Sequence, residues 1–131
     1  MSILGRKVSW KAVAGLALAM LFAALIPALS NTPSREIPLV VKGMAFYLES
    51  DLLTANPTLE VKAGERVRIV VRNEDGGMTH DFAVPALGVE MTPMRWNESG
   101  DVIFEAPDRP GIYEYRCRPH QLMMRGIIRV Y

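Results

Sequence analysis

In the run Arg66-Val67-Arg68-Ile69-Val70-Val71-Arg72, apolar and basic side chains alternate with a period of two. Val67, Ile69 and Val71 fall on one face of an extended chain, and Arg66, Arg68 and Arg72 fall on the other. This is the pattern of a half-solvated antiparallel strand, dry on one side and wet on the other. Six further strand-like runs occupy residues 37–41, 58–62, 79–84, 101–105, 111–117 and 126–131. Turn residues separate them: Asn73-Glu74-Asp75-Gly76-Gly77 turns the chain just before His80, and Asp108-Arg109-Pro110-Gly111 launches the strand that ends at Cys117. Seven short strands so punctuated predict an all-β Greek-key sandwich over residues 36–131. Residues 45–56 fit either a strand edge or a short helical turn.

The N-terminus has a different character. Arg6, Lys7 and Lys11 precede eighteen uncharged, mostly apolar residues, 12–29. Residues 1–30 therefore predict an apolar helix that serves as an export signal or an inner-membrane anchor, with the rest of the chain carried to the periplasm. Ala28-Leu29-Ser30 resembles a cleavage site, whereas the apolar length and Trp10 favour a retained anchor. A polar linker, 31–35, follows. Three of the fifteen basic residues lie in the leader, leaving twelve against fourteen acidic ones, a net charge of −2. Nucleic acid is not an expected partner.

Cys117 is the only cysteine, and His80 and His120 are the only histidines. Singly, each has a bland explanation: free cysteine is among the most buried residue types, and a histidine at a strand end is most often a polar residue. Together, with Cys-x-x-His followed by Met-x-Gly, they offer two imidazoles, a thiolate and a thioether, the donor set of a blue-copper centre. A lone exported thiol also needs a reason, which metal ligation supplies. Zinc usually closes its structural sites with a fourth strong ligand, and only carboxylates are left for that. In the last strand Gly126, Ile128 and Val130 form the set without an arginine, which puts Met124 on the inner face as the axial sulfur. A bulge would substitute Met123.

These residues resemble the cupredoxin family of small blue-copper proteins over nearly all of the chain beyond the linker. The resemblance lies in the Val-Lys-Ala-Gly-Glu-Arg-Val run, in Thr79-His80-Asp81-Phe82, and in the loop from Cys117 to Gly126. The compact Cys-x-x-His spacing is similar to amicyanin and plastocyanin, and the Met-Arg-Gly end is most like amicyanin, with one more residue between His120 and that methionine. The family pattern again implies Met124 as axial ligand. Many cupredoxins carry asparagine where Asp81 stands. A carboxylate only accepts, so a tie between the ligand loops needs a donor, and Arg118 offers one; otherwise both are solvated rim charges. The related dinuclear copper domain of cytochrome oxidase subunit II needs two cysteines and is excluded.

The resemblance implies an electron carrier rather than an enzyme, with one type 1 copper cycling between Cu(II) and Cu(I) and electrons passing through the edge of His120. Pro119, Leu122 and Met123, with Pro85, Ala86 and Leu87, would form an apolar docking patch. Arg95, Arg118 and Arg125 would steer an acidic partner, a cytochrome c-like protein, an oxidase or another electron-transfer complex. The alternatives are a copper chaperone or store, supported by exposed Met78, Met91, Met94 and Met123, and a subunit of a larger respiratory or photosynthetic complex.

Overall fold

The computed structural model describes residue 33 and residues 35–131; the proposed leader and the rest of the linker lie outside the described residues. Within them nine strands run in chain order: β1 (Arg35–Lys42), β2 (Ala45–Leu48), β3 (Leu59–Val61), β4 (Arg66–Asn73), β5 (Ala83–Val84), β6 (Val89–Glu90), β7 (Ser99–Glu105), β8 (Gly111–Arg116) and β9 (Arg125–Val130). One sheet has the order β2-β1-β4-β7 and the other β3-β9-β8-β5-β6. The two form a cupredoxin-like sandwich.

The alternation in β4 is realised: Val67, Ile69 and Val71 are wholly buried. Its neighbours differ from the expected antiparallel pair, because β4 runs antiparallel to β7 but parallel to β1, with Ile37 opposite Ile69. The chain leaves β1 through the β2 hairpin, crosses to the other sheet for β3 and then returns, and such a crossover delivers a parallel neighbour. Residues 45–48 form the edge strand β2 rather than a helical turn. The hairpin before it needs positive φ at Gly43 (57°) and Met44 (61°), as a two-residue turn matched to the strand twist requires. The expected strand over 79–84 contracts to β5, and β6 was too short to leave a periodic signal.

Between the sheets three aromatic rings lock together. Phe82 and Tyr115 stack at 5.2 Å, and Phe46 meets both edge-on at 5.7 and 5.5 Å. The Tyr115 hydroxyl donates to the Pro57 carbonyl at 2.7 Å, so its polar tip is satisfied and its ring is immobilised. Burial pushes that phenol far above its usual range.

Gly126 in β9 lies directly over this ring. A Cβ there would collide with the Tyr115 ring. Gly126→Ala is expected to lower stability by about 1–3 kcal/mol in urea unfolding, the usual range for overpacking. Gly76→Ala, where a Cβ meets nothing within 4 Å, is the control and is expected to change little.

Candidate metal centre

His80 is set by a side chain at the end of β4. Asn73 is fully buried, and its amide donates to the carbonyls of Met78 at 2.9 Å and Met94 at 3.1 Å while its oxygen accepts the Asp75 N–H at 2.9 Å. One carboxamide thus satisfies backbone groups that the turn would otherwise leave unpaired. His80 then makes a two-bond bridge with Met94, His80 N–H to Met94 O at 3.0 Å and Met94 N–H to His80 O at 2.7 Å. It therefore lies in an isolated bridge, not at a strand end.

Cys117 follows the last residue of β8, and Arg116 and Arg125 form the final rung with β9. The loop beyond closes on itself. Cys117 N–H donates to Met124 O at 2.9 Å, His120 N–H to Cys117 O at 3.2 Å, and Met124 N–H to His120 O at 2.9 Å. This winding turns Sγ of Cys117 and Nδ1 of His120 toward each other.

The structure brings His80, Cys117 and His120 together, with one donor atom from each, all within 4.8 Å of one another. Sγ lies 3.7 Å from His80 Nδ1 and 3.6 Å from His120 Nδ1. Nitrogen and sulfur bound at about 2.0 and 2.3 Å to one ion, at a trigonal angle, stand about 3.7 Å apart. The donors are spaced as ligands of one ion. Cys117 and His80 are fully buried and His120 is half-buried, its ring 4.8 Å from that of His80. Met124 is fully buried in the core cluster with Cys117, whereas Met123 is 63% exposed.

Burial pushes the Cys117 thiol up, and the N–H of Asp81, 3.5 Å from Sγ, offsets this only in part. Burial, with the neighbouring His120, holds His80 below its usual value. Without a cation the pocket therefore holds a thiol and a neutral imidazole, and a bound cation displaces the thiol proton.

Asp81 and Arg118 form a brace rather than two solvated charges. Asp81 is buried; Oδ1 accepts the Arg118 backbone N–H and Oδ2 accepts Arg118 Nε, both at 2.7 Å. Arg118 also donates to Glu90 at 2.6 Å and to Met91 O at 3.2 Å. Two carboxylates thus partner its guanidinium, and its side chain is 39% exposed. Asp75 is likewise engaged, accepting the N–H groups of Gly43 and Met44. No carboxylate joins the three donors among the described residues. The zinc alternative thus loses its fourth ligand, and a buried thioether beside thiolate and imidazole suits copper.

Met44, Pro119, His120, Gln121, Leu122 and Met123 line a shallow depression. Met44 was not foreseen, because nothing in a hairpin turn announces what lies across from it. Pro85 and Ala86 are exposed in a 3-10 turn and Leu87 packs against the core, and none of the three lines this depression. Arg95 lines a separate hollow with Met78 and Trp96, and Arg125 is exposed. Met91 and Met94 are each only 2% exposed and pack against Gly100. They are packing residues, contrary to the exposed thioethers that a copper-handling role expected.

Because His80 titrates below 6.5 when folded, the unfolded chain binds more protons than the fold under mild acid. Its contribution is complete above about pH 6.5 and is lost as pH falls through the lowered value. The melting temperature of the metal-free protein should drop between about pH 7 and pH 5, and His80→Asn should flatten that dependence. Asp81→Ala leaves Arg118 without its main acceptor and should cost about 1–3 kcal/mol in urea unfolding of the metal-free protein.

No protein-family model and no curated protein sequence matches the chain. Solved structures do. Auracyanin B is similar at a TM-score of 0.62 and 22% identity, over 77% of this chain and 91% of that one. Auracyanin A, described as a "blue" copper protein from the green thermophilic photosynthetic bacterium Chloroflexus aurantiacus, is similar at 0.56 and 21%, over 73% and 98%. Part of a multicopper oxidase from the hyperthermophile Aquifex aeolicus is similar at 0.61 and 13%, over 76% of this chain but 27% of that one. The chain has the cupredoxin fold, and its cluster of His80, Cys117 and His120 with Met124 fits one type 1 copper ion.

Proposed function

We propose that the protein is a blue-copper electron carrier that works in the periplasm, held to the inner membrane by residues 12–29, and passes electrons between redox proteins. The observation that carries the chemistry is the convergence of one thiol and two imidazole nitrogens within 4.8 Å, with no carboxylate among them. His80, Cys117 and His120 would hold the ion, and Met124 would provide the weak axial contact, preferred over Met123 because it is buried beside Cys117. Copper so held supplies a one-electron couple between Cu(II) and Cu(I).

The residues around it do the rest. The hydrogen-bonded loop and the Asp81–Arg118 brace hold the donors in place without a metal, so little of the protein has to move when the charge changes. Burial of Cys117 and His80 excludes water from the thiolate. His120 alone reaches the surface, in a depression flanked by Leu122, 87% exposed, and Met123. This supports electron exchange through the His120 edge, with apolar contacts that let a cytochrome c-like protein or an oxidase dock and leave. Both histidines of the sequence are committed to one centre, so no imidazole is left for a second metal site, which favours a carrier over an enzyme.

The test is the visible and EPR spectrum of the copper-loaded protein. An intense thiolate charge-transfer band with narrow hyperfine splitting is expected, and Cys117→Ala should abolish it; a colourless, EPR-silent complex would reject the proposal. Electron self-exchange between two copies, measured by NMR line broadening, tests the exit route without a partner. Leu122→Lys places like charges face to face and should slow it about tenfold, equivalent to about 1.4 kcal/mol, with the spectrum unchanged.

A further inference from the structure

The side of His80 turned away from Cys117 is occupied by a carboxylate. Asp75 Oδ2 lies 3.1 Å from His80 Nε2, while Nδ1 of the same ring faces Cys117 Sγ at 3.7 Å. Nε2 makes no well-aligned hydrogen bond, so the effect of Asp75 on it is electrostatic. Both groups are enclosed, the His80 side chain being 0% and the Asp75 side chain 14% exposed. The carboxylate is itself pinned. Oδ1 accepts the Gly43 N–H at 2.5 Å, Oδ2 accepts the Met44 N–H at 3.0 Å, and the Asp75 backbone N–H donates to Asn73 Oδ1 at 2.9 Å.

A neutral imidazole carries its single proton on one nitrogen or the other. With the proton on Nε2, a positive N–H end faces the fixed carboxylate; with the proton on Nδ1, a lone pair does. Coulomb's law favours the first arrangement, and more strongly where water is excluded. That tautomer leaves the Nδ1 lone pair pointing toward Sγ, where a cation shared with Cys117 would sit. A negative charge this close to a ligand also favours the more positive of two oxidation states. The carboxylate reaches further still, since the turn it clamps carries Met44, which lines the depression beside His120.

We propose that Asp75 is a positioning residue: it fixes His80 as the Nε2–H tautomer, presents Nδ1 to the metal, and lowers the redox potential by stabilising Cu(II). The last two of these effects rest on the copper reading. The tautomer is a property of the protein alone.

Two variants grade the loss. Asp75→Asn removes the charge and keeps one of the two oxygen acceptors that the turn uses, and Asp75→Ala removes the charge and both acceptors. In the metal-free protein, nitrogen-15 shifts of the His80 ring report the tautomer; the Nε2–H form is expected to predominate in wild type, and a mixture in both variants. In copper-loaded protein, Asp75→Asn is expected to keep the blue band and raise the midpoint potential by about 59 mV, the one-electron equivalent of a tenfold loss of preference for Cu(II) over Cu(I). An unchanged tautomer population, or an Asp75→Asn potential equal to that of wild type, overturns the proposal. A wild-type protein that lacks the blue band overturns the copper reading instead, and the metal-free measurement then decides the role of Asp75.

Discussion

Asp81 is bonded through both its main chain and its side chain to the loop that begins at Cys117, and the metal centre depends on that double attachment. Its N–H points at Cys117 Sγ, while its two oxygens take the backbone and the guanidinium of Arg118. His80 is the residue before it. Any movement of the upstream segment relative to the Cys117 loop therefore breaks charge-assisted bonds in a site where one partner is buried and the other about 40% exposed. The arrangement also explains how the donors can be well placed before any metal binds. Protein groups, rather than the ion, draw the two segments together.

Around this tie the structure sorts its carboxylates with care. Asp81 is bonded to Arg118, and Asp75 lies behind the His80 ring, on the side away from Cys117, bonded to the Gly43-Met44 turn. Neither carboxylate joins the three donors, so the cluster offers no hard oxygen of the kind that commonly completes a zinc site.

Much of this could be read in the sequence, because strand alternation and metal chemistry both leave local marks. The period of two in β4 identifies its buried face directly, and the spacing of Cys117, His120 and Met124 places three chemically distinctive groups in one loop. The parallel pairing of β1 with β4 was not legible, since it depends on a crossover that no single run of residues reveals. Asn73 and Asp75 were read only as turn formers. Their larger roles come from hydrogen bonds to backbone groups that are distant in sequence, and such bonds impose no pattern on the residues between them. Met91 and Met94 were misjudged for a related reason: in an irregular segment no alternation separates inward from outward, and only the contact with Gly100 reveals their burial.

The parallel pairings have a kinetic side as well. β3 joins β9 through Leu59 opposite Ile128, and β1 joins β4, so the sandwich closes only when segments far apart in the chain have found each other. Folds dominated by such non-local contacts form in milliseconds to seconds, where local helical folds take microseconds. Throughout that interval the thiol of Cys117 is open to oxidants in any compartment that promotes disulfides; once the sheets meet it is fully buried. Closure of the sandwich is thus the event that shields the one thiol of the chain.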